Sequence, residues 1–189
     1  MRNLFIIFAF VFISSFAYAQ KETLALDEHT NKYIYYQVAD QHGTSSHQLF
    51  TRCLDGLQKD FSKKELKAVG DSQIVINSKL LLNGGMFKHE EGAISYKYII
   101  EFRDGKYRYW LTDFIYTPYQ RDRYNNYVPI PGKEVTLEQA KNKVDKNLLS
   151  NYMDQTLKYC KQAGENLKHY AVNAHKQEEK TQKVDTRKW

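Results

Sequence analysis

The stretch that decides the fold is residues 92–116, GAISYKYIIEFRDGKYRYWLTDFIY. Two runs rich in aromatic and β-branched residues, which favour strands, flank the dipeptide Asp104-Gly105. Asp-Gly between two such runs is a strong signal for a two-residue hairpin loop. The loop fixes the register, so that Arg103 is predicted to face Lys106 and Ile99 to face Trp110. The sequence therefore predicts a long antiparallel hairpin.

One face of this hairpin is predicted to be apolar, because successive side chains of a strand alternate between its two faces. It carries Ile94, Tyr96, Tyr98, Ile100, Phe102, Tyr107, Tyr109, Leu111 and Ile115. The charged residue on this face is Asp113, which we expect to cap a loop amide or to reach solvent. Helices are expected to cover this side.

The opposite face is predicted to mix charged and apolar side chains. It carries Lys97, Ile99, Glu101, Arg103, Lys106, Arg108, Trp110, Thr112 and Phe114. Ile99, Trp110 and Phe114 form a predicted apolar diagonal among basic side chains, a composition typical of an interface core. Two interpretations are open. The diagonal binds a ligand or partner, or the chain's tail, its proline-containing loop or a second copy covers it.

The remaining elements follow from strand and helix periodicity. Residues 46–60 place an apolar stripe at helical spacing behind a capping box that begins at Ser45. A second helix is predicted from Leu137 towards Val172. Further strands are predicted at residues 31–38, 65–69 and 72–83, and a loop at Thr117–Val135. This order, β-α-β-β-β-β-α, predicts one α+β domain with an antiparallel sheet of about five strands and both helices on one face.

Three segments of the chain resemble a known family. They are SSHQLFTRCLDGL at 45–57, VGDSQIVINSKLLL at 69–82 and YIIEFRDGKYRYWLTDF at 98–114. Together they are similar to an exported bacterial family of domains of unknown function, of the Bacteroidetes type, with a TATA-binding-protein-like fold. The resemblance implies the element order given above and no assigned activity. Despite the name of the fold, it implies no DNA binding here.

The N-terminal stretch has the organisation of a signal peptide. A basic residue precedes an apolar run from Leu4 to Phe16, and an Ala-Tyr-Ala cleavage pattern ends at Ala19. The run is shorter than the roughly twenty residues that a membrane-spanning helix needs. We therefore predict cleavage after Ala19 and export to the periplasm or beyond. The mature chain is predicted to form a single domain over residues 20–172, followed by a polar, disordered tail over residues 173–189.

Charge and motif content limit the possible functions. The net charge is +6, of which one charge leaves with the leader, and basic and acidic residues alternate along the chain. Together with export, this argues against nucleic-acid binding. No segment of the mature chain is apolar for long enough to span a membrane. The six histidines are dispersed, and neither a metal-ligand spacing nor a nucleophile motif is present, so no catalytic residue, metal or cofactor is predicted.

The two cysteines, Cys53 and Cys160, lie on the apolar stripes of the two predicted helices. In an oxidising compartment two cysteines often form one bridge, and neighbouring helices on one sheet face would bring them within reach. We expect a Cys53–Cys160 disulfide. The alternative is two separate buried thiols that pack as small apolar groups.

The sequence favours a non-enzymatic binding module of unknown function. The predicted contact residues combine the outer hairpin face with the aromatic and basic residues of the loop. They are Lys97, Ile99, Arg108, Trp110, Phe114, Tyr119, Arg121 and Tyr124. The composition fits an envelope protein, a peptide, a glycan or a lipid headgroup as the partner. One alternative is a homodimerisation domain, and another is a small hydrolase that uses Asp113.

Overall fold

The computed structural model describes residues 23–84 and 89–173 of the chain. The predicted signal peptide and the predicted tail beyond Asn173 lie outside the described residues. The described strands are β1 (Ala25–Leu26), β2 (Tyr33–Asp40), β3 (Leu66–Val69), β4 (Gln73–Gly84), β5 (His89–Arg103), β6 (Lys106–Arg121), β7 (Tyr127–Pro129) and β8 (Val135–Thr136). The described helices are α1 (Ser46–Asp60), α2 (Leu137–Ala140) and α3 (Lys146–Val172).

The described strands form one antiparallel sheet. Its order is β1-β2-β6-β5-β4-β3, and both β7 and β8 pair with β6. The predicted α+β class is confirmed, and the five strands expected from the sequence are β2 to β6. The described sheet has eight strands rather than about five. The three strands that the sequence did not predict, β1, β7 and β8, are only two or three residues long. Segments that short carry no periodic pattern.

The first helix begins and ends as predicted, whereas the second has the predicted outer bounds, Leu137 and Val172, but is interrupted between them. Ser45 accepts the backbone N–H of Gln48, and the Gln48 side chain accepts the backbone N–H of Ser45, which completes the capping box of α1. The predicted second helix is divided into α2 and α3, because the chain turns after Ala140 and Asp145 starts a new helix. The Asp145 carboxylate accepts two backbone N–H groups of the first turn of α3. None of the described helices is long and apolar enough to cross a bilayer.

Helices α1 and α3 pack on the same face of the sheet, and the core lies between them and β2, β4, β5 and β6. Tyrosines line much of this core. The Tyr96 and Tyr159 hydroxyls are hydrogen bonded to each other. Gly164 of α3 packs directly on the hydroxyl of Tyr109. A glycine is needed there because any Cβ would overlap that hydroxyl.

A β-bulge interrupts the predicted register of the central hairpin. Pairing follows the prediction from the loop as far as Lys97 and Thr112, after which Ser95 lies opposite Ile115. Tyr96 of β5 therefore faces two residues of β6. This two-against-one count defines a bulge, which bends the strand and increases its twist.

The bulge exchanges the faces of the residues that follow it. Asp113 has a φ of 55°, in the left-handed region that residues other than glycine rarely adopt. Phe114 then points into the core with 1% of its surface exposed, and Ile115 lies on the opposite face with 38% exposed. Our sequence-based assignment of these two residues to faces was wrong, because a strict period of two does not allow for an inserted residue.

The two cysteines are free and buried in the structure, so the predicted bridge between them is absent. The Cys53 thiol interacts electrostatically with Tyr98, and the Cys160 thiol interacts with Tyr96. Burial raises the pKa of each thiol to about 12, so that both stay protonated at neutral pH.

Candidate functional site

The sheet surface opposite α1 and α3 is the candidate site, and we call it the helix-free face. The strand register places on it Tyr36, Val38, Asp40, Lys67, Val69, Gln73, Val75, Asn77, Lys79, Leu81, Ser95, Lys97, Ile99, Glu101, Arg103, Lys106, Arg108, Trp110, Thr112 and Ile115. Several large apolar side chains of this face are more than a third exposed, namely Tyr36, Val38, Val69, Leu81 and Ile115. Since they lie on four different strands, none of the described elements covers this side of the sheet.

An apolar row crosses the centre of the helix-free face. The register pairs Tyr36 with Trp110, Trp110 with Ile99, and Ile99 with Val75. Neighbouring strands are about 4.8 Å apart, so the row extends about 14 Å from β2 to β4. Ile99 in its middle is 9% exposed, whereas Tyr36 at its end is 46% exposed. The Tyr36 and Trp110 rings are in contact, with centroids 6.5 Å apart.

A hydrogen-bonded polar network borders the apolar row. The Nε of Arg108 donates to Oε2 of Glu101 at 2.7 Å, and Nε2 of Gln73 donates to the other carboxylate oxygen at 3.1 Å. The Arg108 guanidinium lies over the Trp110 ring, 5.5 Å from its centroid. Hydrogen bonds to Glu101 and, more weakly, to Tyr36 raise the pKa of Arg108. These contacts orient the side chains of the row before any partner binds, which lowers the entropy cost of binding.

Four of the eight contact residues predicted from the sequence share this face. They are Lys97, Ile99, Arg108 and Trp110. Phe114 lies in the core instead, so the predicted Ile99/Trp110/Phe114 diagonal does not exist. Tyr119, Arg121 and Tyr124 lie at or beyond the far end of β6. At about 3.3 Å per residue along a strand, Tyr119 is roughly 30 Å from Trp110.

The predicted loop Thr117–Val135 is largely a second hairpin. Strand β6 continues through its first residues to Arg121 and pairs there with β7. The Asp122 carboxylate accepts two backbone N–H groups of the connecting turn. Arg121 Nε donates to the Tyr127 hydroxyl at 2.7 Å and stacks on its ring, so its side chain stabilises the hairpin. Tyr124, at the tip, is 77% exposed.

Asp113 lies at the bulge and is partly exposed. Its carboxylate accepts a hydrogen bond from Nζ of Lys32 at 2.5 Å, and this contact raises the pKa of Lys32. Glu138 interacts with the same lysine and accepts the backbone N–H of Tyr33 at 2.7 Å. Asp113 is therefore part of a surface ion pair beside a strand end. Within residues 23–84 and 89–173, no three His, Cys, Asp or Glu side chains are grouped so as to hold a metal ion.

Sequence reasoning missed half of the apolar row, namely Tyr36 and Val75. The alternation in residues 33–38 does place Tyr36 and Val38 on a common face. Nothing local, however, shows which strand pairs with β2, since a helix and three strands separate β2 from β6. The pairing of Tyr36 with Trp110 is a long-range contact that only the folded chain reveals.

Comparison with known proteins identifies the fold. Residues 35–117 match a family described as "Domain of unknown function (DUF4468) with TBP-like fold". A crystal structure of a TBP-like protein from Parabacteroides distasonis is 18% identical, with a TM-score of 0.64, over 79% of this chain and 98% of that one. A DUF4468 family protein from Bacteroides ovatus is 11% identical, with a TM-score of 0.54, over 79% of this chain and 91% of that one. Identities this low show the fold alone. No curated protein matches the chain.

Proposed function

We propose that this chain, whose residues 35–117 belong to the DUF4468 family with its TBP-like fold, is an exported, non-enzymatic interaction module that binds a protein partner through the helix-free face. The export part of the proposal rests on the N-terminal sequence, with its apolar run and Ala-Tyr-Ala pattern. The binding part rests on the geometry of the sheet.

The observation that carries the proposal is the apolar row beside an ordered polar network. Protein interfaces combine an apolar, aromatic-rich core with a polar rim, and Trp, Tyr and Arg are the residues most enriched at their energetic centres. Tyr36, Trp110 and Arg108 are in mutual contact on the helix-free face. None of the described elements covers this row, which is open at Tyr36, and an uncovered apolar surface on a folded chain is characteristic of an interaction site.

The proposal is tested by site-specific photo-crosslinking in cells that produce the full chain. A photoreactive phenylalanine derivative replaces Tyr36 on the helix-free face or, as the matched control, Lys158, an exposed residue of α3. We expect a discrete adduct from position 36 and no such adduct from position 158. The absence of an adduct at position 36, or the same adduct from both positions, contradicts the proposal.

A second variant tests the contribution of the apolar row itself. Trp110→Ala in the chain that carries the photoreactive residue at position 36 is expected to remove most of the adduct, because truncation of a central aromatic residue typically costs 2 kcal/mol or more in binding. The far-ultraviolet circular dichroism and the melting temperature of the purified variant verify that it still folds. An adduct of undiminished yield in a folded Trp110→Ala protein would show that the partner does not contact the row.

A further inference from the structure

We propose that the partner presents an acidic polypeptide surface to the helix-free face. This inference rests on the function proposed above and adds the chemistry of the partner. It comes from the distribution of charge over the two sides of the sheet, which only the strand register reveals.

The helix-free face is strongly basic. Its cationic side chains are Lys67, Lys79, Lys97, Arg103, Lys106 and Arg108. Its anionic side chains are Asp40 and Glu101. Both carboxylates have cationic cross-strand neighbours, since Glu101 binds Arg108 and Asp40 lies directly opposite Lys106. The Glu65 carboxylate lies beside Lys79 at the edge of this face, whereas Asp113 in the same groove is paired with Lys32. With Glu65 counted, the face presents an excess of three positive charges around the apolar row.

Two lysines, Lys67 and Lys97, border the part of the row that lies away from Glu101, and Lys79 lies further out beside the Glu65 carboxylate. Lys67 is paired with Val75 and so ends the row on β3. Lys97 lies on β5 two residues before Ile99, on the same face, and Lys79 is the neighbour of Ser95 on β4. A partner that covers the apolar row meets the ammonium groups of Lys67 and Lys97 at its rim. Carboxylates at matching positions would be attracted there, whereas lysines or arginines would be repelled.

The same charge distribution argues against a second copy as the occupant. Two helix-free faces packed against each other would each contribute the same positive excess, and like charges across an interface cost binding energy. A lipid surface is also a poorer fit, because the centre of the row does not protrude. Ile99 is 9% exposed, and Trp110 is partly covered by the Arg108 guanidinium. A recessed apolar row within a basic rim fits protruding apolar side chains flanked by Asp and Glu, as a polypeptide can supply.

The test uses a display library of random dodecapeptides selected on the full mature chain, with the Trp110→Ala protein for counter-selection. We expect the peptides enriched by this procedure to carry more Asp and Glu than the starting library. One enriched peptide is then labelled and its affinity measured by fluorescence anisotropy. The charge-reversed protein Lys67→Glu/Lys97→Glu is compared with Lys158→Glu/Lys168→Glu, which makes the same change in net charge on exposed positions of α3.

We expect the reversal on the helix-free face to weaken binding about tenfold at low salt and the reversal on α3 to weaken it less than about twofold. The difference should shrink as salt screens the charges. Equal effects of the two reversals, or enriched peptides that are neutral or basic, would overturn the acidic partner and leave the function proposed above intact. If no enriched peptide depends on Trp110, the proposed function fails and the inference fails with it.

Two further probes examine the other anionic surfaces. Vesicles that contain phosphatidylglycerol and a single-stranded oligonucleotide are titrated against the same proteins. Binding of either probe more tightly than the peptide, with loss on Lys67→Glu/Lys97→Glu, would assign the basic rim to a membrane or a nucleic acid and overturn the proposal. Weaker binding of both probes than of the peptide supports it.

Discussion

The contact between Gly164 and Tyr109 allows a sharp test of how α3 packs on the sheet. In an exposed helix interior, replacing glycine by alanine stabilises a protein by about 1 kcal/mol. Gly164, however, is buried against β6, and a Cβ at this position would lie 2.0 Å from the Tyr109 hydroxyl oxygen and 2.9 Å from Cζ. We therefore predict that Gly164→Ala lowers the free energy of unfolding.

The size of the effect follows from whether Tyr109 can move. Its ring contacts the rings of Tyr35, Tyr98 and Tyr107, with centroids 5.9 to 6.4 Å away. The ring is enclosed on the sheet side, so the added methyl group must displace α3 or force an unfavourable rotamer. Overpacking of this kind typically costs about 1–3 kcal/mol, and the enclosed ring places this site at the upper end of that range. After the helix-propensity gain of about 1 kcal/mol is subtracted, the expected net loss is about 1–2 kcal/mol.

Urea denaturation of four proteins isolates this contact in a double-mutant cycle. They are the wild type, Gly164→Ala, Tyr109→Phe and the double variant. Tyr109→Phe removes the oxygen that the new methyl group would overlap, so the double variant should be less destabilised than the sum of the single changes by about 1 kcal/mol or more. Asn151→Ala, at an exposed position of α3, is the control for helix propensity and should stabilise the protein by a few tenths of a kcal/mol.

One result would refute this reasoning. If Gly164→Ala raised the free energy of unfolding by about 1 kcal/mol, as in an exposed helix, then α3 would not lie against Tyr109 at this position. A cycle without coupling would refute it as well, because the destabilisation would then have another origin.

Three further predictions concern other parts of the chain. Asp113→Gly should leave the free energy of unfolding nearly unchanged, whereas Asp113→Val should lower it by about 1–2 kcal/mol in urea titrations, because a β-branched residue resists a φ of 55°; equal effects would contradict the bulge. Hydrogen bonds, the largest from Ser78, lower the pKa of Glu65 below its ordinary value of 4.5, so Glu65 stabilises the fold above pH 4.5 and this contribution is lost as the pH falls through the lowered pKa. Glu65→Gln should flatten the stability profile in that window, and an unchanged profile would contradict the assignment. Without reductant, a thiol reagent should label neither Cys53 nor Cys160 in the native protein and both after denaturation, as mass spectrometry would show; an unlabelled denatured chain would reveal a bridge.

The parts of the fold that depend on neighbouring residues were predictable from the sequence. The Asp104-Gly105 loop and the Ser45 cap each combine a turn or cap residue with a clear periodic pattern. The hairpin loop and the start of α1 are also in contact in the structure, since the Asp104 carboxylate accepts the backbone N–H of Ser46 at 2.8 Å. A local signal of this kind determines the element boundaries, and for this reason α1 and the start of the central hairpin were placed correctly.

The parts that depend on distant contacts were not predictable. Asp113 has a left-handed conformation and forms an ion pair with Lys32, a residue in another strand connection, and no local sequence pattern predicts either feature. The division between α2 and α3 depends on Asp145, whose capping role competes with an uninterrupted helical pattern. The candidate site could not be predicted in full for the same reason, because Tyr36 lies beside Trp110 only when β2 pairs with β6.

The bulge determines which aromatic residues stabilise the fold and which remain available for a partner. In an uninterrupted strand, Phe114 would lie on the helix-free face and Ile115 in the core. With Asp113 inserted, Phe114 packs inside, and the aromatic content of the helix-free face comes from Trp110 and, across the strand pair, from Tyr36. A loss of function in a Phe114 variant would therefore follow from a damaged core, because truncation of a buried phenylalanine to alanine lowers the free energy of unfolding by about 3–5 kcal/mol. Only losses in Tyr36 or Trp110 variants that keep their fold bear on binding, so the two sides of β6 have to be tested separately.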